Sequence, residues 1–240
     1  MPTAAERREA LKAIYLDEAK DCQRCPLAET RTNVVFGAGD ADADLMFVGE
    51  APGANEDRMG LPFVGQAGKL LDRLLEEIGL ERGQVFIANL LKCRPPGNRD
   101  PQPGEIEACQ EYLMRQVGLI EPKMVCTLGN FSTKLLRGDS TGITRLHGRA
   151  EVRMLGERAV RLYPLYHPAA ALYTPSMLET LRADFAGIPA LLAEPPPDQP
   201  EPVEVPEPAD DEAPRPDQAP EAEPVAASSA PADVEQLGLF

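Results

Sequence analysis

The sequence predicts an α/β domain built on a mostly parallel sheet, and three observations carry that reading. Short apolar runs have the length and composition of buried strands. They alternate along the chain with segments of helical periodicity, the pattern of a layered α/β domain. The runs also end in polar residues, Glu50, Asn89 and His167. In open α/β sheets ligands bind beyond the carboxyl ends of the strands, so three strand tips aim a carboxylate, an amide and an imidazole at one edge.

The elements follow in order. Residues 4–20 read as an amphipathic helix with Leu11, Ile14 and Tyr15 on one side. Asp44–Gly49 is the first strand, and Glu50–Asp57 is a loop. Lys69–Ile78 has helical spacing (Leu70, Leu71, Leu74, Leu75, Ile78) and stops at Gly79. Val85–Leu91 is the second strand and runs into the Pro-rich basic loop Lys92–Pro101. Glu105–Val117 is a helix. Lys123–Leu128 is the third strand, and Gly129 opens a helix over 130–137. Glu151–Leu155 and Ala159–Tyr166 form a hairpin around Gly156, and Met177–Leu192 is the last helix. Gln66–Lys69 superficially suggests a P-loop, but the first Gly is misplaced and Leu70 stands where Ser or Thr is needed.

The 240 residues carry 24 Lys+Arg and 39 Asp+Glu, a net charge of −15. That balance argues against nucleic-acid binding only until its distribution is read. From Pro195 to Phe240 there are 12 acids, one base and 12 prolines, which leaves residues 1–194 at −4. The acidity belongs largely to a tail and leaves room for a locally basic face on the body. Residues 1–194 are long enough for one domain with a sizeable core. Residues 195–240 cannot bury enough apolar surface to offset their ordering entropy and are expected to be disordered. No apolar run reaches the length of a membrane span, and the charged N-terminus lacks a signal-peptide core. The expectation is a soluble, cytoplasmic monomer.

Five cysteines in such a chain point to metal or cluster binding rather than disulfides. Cys22 and Cys25 form a C-x2-C pair, while Cys93 and Cys109 lie far downstream. Cys126, inside an apolar strand, reads as an inert core thiol. Four thiolates from two segments suit zinc or an iron–sulfur cluster. Zinc sites usually show two tight pairs and only one is present, which mildly favours a cluster; unligated cysteines are the third reading.

Taken together, Gly49-Glu-Ala-Pro-Gly53, Phe63, Asn89-Leu-Leu-Lys-Cys-Arg-Pro-Pro-Gly-Asn-Arg99, His167-Pro-Ala-Ala-Ala-Leu172 and the four cysteines resemble the family 4 uracil-DNA glycosylases, over roughly residues 10–193. Any one of these motifs is weak; four in order, interleaved with the cysteines, are specific. The resemblance implies a three-layer α/β/α sandwich around a four-stranded parallel sheet. It implies a [4Fe-4S] cluster on Cys22, Cys25, Cys93 and Cys109. It also implies hydrolysis of the N-glycosidic bond of uracil in DNA, leaving an abasic site. The alternative is a non-catalytic iron–sulfur module that binds nucleic acid or a replication partner.

The chemistry then assigns tasks. A base inside a duplex cannot be reached, so the nucleotide is flipped into a pocket. Phe63 offers a stacking face. Uracil differs from cytosine in its donor and acceptor pattern at N3 and C4, which the Asn89 carboxamide can read. A neutral His167 donating to the carbonyl beside N1 would stabilise the charge on the departing base, a contribution of about 3–4 kcal/mol. The loop Glu50–Pro52 is the best candidate for placing the water, and Gly49, Glu50 and Ala51 are counted among the substrate-binding residues. Family 1 glycosylases have an Asp at the position of Ala51, so the carboxylate here is absent or supplied by a neighbour. Glu50 is the first candidate, with Glu56 and Asp57 behind it; alternatively Glu50 serves the loop through its backbone. Family 1 also excludes thymine with a Tyr where this chain has Gly53, so methyl exclusion must come from elsewhere, with Glu56 the candidate.

Lys92, Arg94 and Arg99 surround Cys93 and are expected near DNA phosphates, with Arg145 and Arg149 adding to them. Leu172 is placed to enter the base stack as the nucleotide leaves, with Tyr173 its competitor. His147 reads as a DNA-side loop residue. The last five residues are Gln236-Leu237-Gly-Leu239-Phe240. They resemble the peptide by which bacterial repair proteins dock on the replication sliding clamp. The preceding chain, spanning on the order of 35 Å, would act as a tether.

Overall fold

The architecture comes from a computed structural model that describes residues 2–200. The expected disorder beyond Pro200 and the Gln236, Leu237, Leu239 and Phe240 clamp peptide lie outside the described residues. Helix α1 (Ala4–Ile14) is opened by a capping box between Thr3 and Glu6 and runs into a π-type turn over Tyr15–Ala19. Strands β1 (Ala38–Gly39) and β2 (Leu45–Gly49) are followed by α2 (Ala54–Met59) and α3 (Gln66–Glu77). Next come β3 (Phe86–Asn89), α4 (Pro103–Ile120), β4 (Met124–Leu128) and α5 (Asn130–Arg137). The short helix α6 (Ile143–Leu146) leads into the hairpin of β5 (Glu151–Leu155) and β6 (Arg158–Leu165), and α7 (Pro168–Tyr173), α8 (Pro175–Ala186) and α9 (Ile188–Ala193) follow.

The sheet has the order β1-β3-β2-β4-β6-β5. Its four central strands are parallel, as expected, and two antiparallel strands close its edges. Because side chains alternate between the faces of a strand, β2 and its neighbours feed two cores. Met46 and Val48 join Phe86, Leu113 and Val117 under α1 and α4. Leu45 and Phe47 join Leu71, Leu74, Cys126 and Phe185 under α3 and α8. Helices thus cover both faces, giving three layers. Cys126 is fully buried in the second core, consistent with an inert thiol.

Some elements depart from expectation. The segment after Gly53 forms α2, whose first turn carries Glu56 and Asp57, acids that suit a helix N-terminus. The last predicted helix is divided into α8 and α9, and α7 lies ahead of them. The breaks fall at Thr174 before Pro175 and at Gly187 before Pro189, where proline is accepted only in a first turn. Residues 195–200, grouped with the tail by composition, lie against the body. Arg161 donates to the Pro195 carbonyl at 3.1 Å, and the Gln199 amide exchanges hydrogen bonds with the Ala159 N–H and C=O at 3.0 and 2.9 Å.

Candidate functional site

The carboxyl ends of β2, β3 and β6 surround a cavity of about 410 Å³, lined by Glu50, Ala51, Phe63, Asn89 and His167 among others. The three strand tips do converge. Gly49 pairs with Asn89 in the parallel register. A Cβ on Gly49 would lie 2.3 Å from Asn89 Oδ1 and 2.8 Å from the Phe63 ring, so only glycine lets the amide and the ring approach each other. Asn89 is buried, and among the described residues its Oδ1 has no hydrogen-bond partner. A buried acceptor left unpaired costs free energy comparable to a lost hydrogen bond, so this oxygen is set up to receive a donor from a guest.

Phe63 is buried with φ of 51°, a left-handed conformation that costs a bulky residue about 1–2 kcal/mol. Both sides of it are gripped. Glu56 Oε1 accepts from the N–H groups of Val64 and Gly65 at 3.0 and 2.9 Å. The Arg82 guanidinium donates to the carbonyls of Pro62 and Phe63 and to Asp72 Oδ1. Gly68 in α3 permits the turn to sit close, since a Cβ there would fall 1.8 Å from the Phe63 carbonyl oxygen. The result is a fixed aromatic wall, with the His167 ring centroid 5.6 Å from that of Phe63 at an interplanar angle of 28°.

His167 is also the N-cap of α7, and its Nδ1 accepts from the Ala169 N–H at 3.1 Å. In the neutral ring this leaves the proton on Nε2. Burial lowers the imidazole to about 4, with the Glu56 carboxylate opposing. The ring is therefore a neutral donor at physiological pH.

The carboxylates of the first loop divide their roles. Burial raises the Glu50 carboxyl above its ordinary value, with the Asp100 charge adding to it. Glu50 lines the cavity, and among the described residues its carboxylate has no hydrogen-bond partner. Glu56 also lines the cavity, with one oxygen committed to the Phe63 turn. Asp57, the third candidate for placing water, is buried against the 32–33 backbone, where its Oδ1 accepts from the Thr32 N–H at 2.9 Å.

The expected DNA-side cations are dispersed, and one requires correction. Lys92 is 1% exposed; its ammonium donates to the Asn89 carbonyl at 2.9 Å and to Gln116 Oε1 at 2.6 Å. It cannot reach a phosphate, because the end of β3 turns its side chain inward under α4. Arg94 donates to Asn98 Oδ1 at 2.7 Å, and Arg99 pairs with Glu105 at 2.9 Å. Arg99, Pro95 and Asn98 form part of the cavity wall, so the loop after β3 borders the pocket directly. Arg145 and Arg149 are exposed. Leu172 and Tyr173 are 42% and 87% exposed at the end of α7. His147 binds Asp184 Oδ2 through Nδ1 at 2.8 Å and lies against Tyr166.

Cys22, Cys25, Cys93 and Cys109 line one small cavity together with Tyr112 of α4. Arg31 donates to Cys93 Sγ at 3.6 Å and to the Cys22 carbonyl at 2.7 Å, and the Lys92 N–H donates to Cys109 Sγ at 3.3 Å. Burial pushes the Cys93 thiol up to about 12, opposed by Arg31, and raises Cys109. Thiolates gathered here need a positive centre to hold their charge. Among the described residues, no three His, Cys, Asp or Glu side chains close on a single ion.

Sequence reasoning missed Arg82, Gln116 and the Ala169 N–H. Arg82 and the Ala169 N–H act on the site through backbone atoms and Gln116 through the Lys92 ammonium, and no residue pattern marks them.

A model of the uracil DNA glycosylase superfamily matches residues 36–187. Over 184 residues the chain is 50% identical to a type-4 uracil-DNA glycosylase of Sulfurisphaera tokodaii, covering 75% of this chain and 84% of that protein. It is 46% identical over 188 residues to the type-4 enzyme of Saccharolobus solfataricus (76% and 87%). To that of Thermotoga maritima it is 42% identical over 166 residues (69% and 85%).

Proposed function

Because the chain belongs to the uracil-DNA glycosylase superfamily, we propose that this pocket takes up a uracil extruded from DNA and severs its glycosidic bond. The single observation that carries the reading is the buried, unpaired Asn89 Oδ1 beside the Phe63 ring. Uracil presents an N3–H donor to such an oxygen, and cytosine presents an N3 acceptor. The C1′–N1 bond breaks, and its electron pair leaves with the base. His167, neutral with its Nε2–H free to donate, hydrogen-bonds the carbonyl beside N1 as charge gathers there. Water adds to the oxocarbenium-like C1′ and loses a proton. Glu50, a cavity carboxylate without a hydrogen-bond partner among the described residues, orients that water; its pKa, raised by burial, suits it to accept the proton.

The four cysteines are read as ligands of an iron–sulfur cluster. What supports this is four thiols around one cavity. When bound, the cluster would staple the segment after α1 to the loop that walls the pocket. Arg94, Arg99, Arg145 and Arg149 are the candidates for phosphate contacts, and Leu172 or Tyr173 for the wedge.

The test is release of free uracil from an oligonucleotide carrying one labelled uracil, with cytosine as control. The wild type should release uracil and leave an abasic site. Loss of the imidazole donor in His167→Asn should slow release by about 10²–10³. A folded wild type that releases nothing would overturn the reading.

A further inference from the structure

Lys92 is fully buried and three residues beyond the amide that faces the pocket. Asn89 ends β3; the next two N–H groups, those of Leu90 and Leu91, donate to the Gly49 and Glu50 carbonyls, whereas the Asn89 carbonyl is taken by a side chain. The partner of that carbonyl is the Lys92 ammonium at 2.9 Å. The same ammonium donates to Gln116 Oε1 at 2.6 Å, and Gln116, itself buried in α4, donates through Nε2 to the Phe36 carbonyl at 2.9 Å. The Lys92 backbone is held as well. Its N–H donates to Cys109 Sγ at 3.3 Å, and its carbonyl accepts from Val35 at 2.7 Å.

This ladder matters because of what Asn89 lacks. Among the described residues, no hydrogen bond holds its carboxamide, and its Oδ1 is buried without a partner. The direction of that oxygen is therefore set by the backbone from which the side chain springs and by the space that Gly49 leaves. A burial that needs only volume is filled better by an apolar side chain, since an ammonium must be desolvated. A cation whose donors grip the one carbonyl of the reading residue has a positional task instead.

We infer that Lys92 is a positioning residue for base recognition: through the Asn89 carbonyl it fixes the amide that distinguishes uracil from cytosine. Its main-chain amide ties the same point to a cysteine of the second cavity, so the two sites share one rigid segment. The inference rests on the pocket's being a uracil site.

The test measures binding rather than turnover, using the full chain and oligonucleotides carrying 2′-fluorinated deoxyuridine or 2′-fluorinated deoxycytidine, whose glycosidic bonds resist cleavage. The readout is the ratio of the two affinities. Lys92→Met keeps the length of the side chain and removes its donors. It should reduce the uracil preference by about tenfold, the scale of one hydrogen bond to a charged group. In an Asn89→Ala background, where the amide is gone, the same substitution should change the ratio by less than about twofold. A lysine that only stabilises the fold would lower the melting temperature and leave the ratio unchanged, or act equally in both backgrounds; either result overturns the inference. Should Lys92→Met fail to fold, Gln116→Met removes one partner of the ammonium and leaves the lysine in place. It should shift the ratio in the same direction, and an unchanged ratio in that folded variant overturns the inference. A wild type with no preference for the uracil oligonucleotide would overturn the functional reading itself.

Discussion

Replacing His167 by Asn removes the one titrating ring of the pocket while keeping a side-chain acceptor at the N-cap of α7, where Asn is a favoured residue. The structure gives the size of the effect. Burial holds the imidazole at about 4, whereas an unperturbed histidine titrates near pH ~6.5. Between these values the unfolded chain binds more protons than the folded one, so this group makes stability rise with pH. Its contribution is complete above about pH 6.5 and is lost as the pH falls toward 4. Between about pH 7 and about pH 4.5 the wild type should therefore lose about 2 kcal/mol more than the Asn variant. Urea unfolding at the two pH values reads this directly, as an extra downward shift of the wild-type midpoint on the order of 1 M. Comparing two proteins that differ at one residue cancels every other acid-sensitive group. Identical pH dependences would refute the burial argument, and with it the claim that a neutral ring faces the cavity.

Three further outcomes follow from the same geometry. Gly49→Ala places a methyl group 2.3 Å from Asn89 Oδ1 and 2.8 Å from the Phe63 ring; uracil binding, measured by inhibition with the free base, should be lost while the circular dichroism spectrum stays native. Arg82→Ala frees the carbonyls of Pro62 and Phe63, so the left-handed turn should relax. The substrate KM should rise more than kcat falls, and a melting temperature lowered with unchanged kinetics would show that the clamp serves stability alone. Purified protein should be brown, with iron and inorganic sulfide in equal amounts, and Cys93→Ser should lose both; colourless protein carrying zinc would reject the cluster.

The sheet was legible because its strands are continuous apolar runs, and strand tips can be read from where such runs stop. Glu50, Asn89 and His167 were found that way, and they do share a cavity. The two edge strands differ in legibility. The β5–β6 hairpin announces itself through Gly156, whereas β1 is two residues long and has no period to detect. The last helix was read as one element because its apolar spacing continues across Gly187 and Pro189, although the backbone breaks there into α8 and α9. Lys92 shows the limit most clearly. A lysine in a basic, Pro-rich loop reads as solvated, and nothing local reveals that Gln116 waits inside α4 to receive it. Tertiary partners of backbone carbonyls, which Arg82 and Lys92 both are, leave no trace in the spacing of a sequence.

The central claim is that the unpaired oxygen of Asn89 reads the N3–H of a uracil stacked on Phe63. Single-turnover excision from two oligonucleotides, one with uracil and one with 3-methyluracil, tests it most directly. Methylation removes the donor and sets a methyl group against the oxygen, so the account predicts rapid release of uracil and a rate for the methylated base lower by at least about 10². Equal rates for the two bases would contradict it.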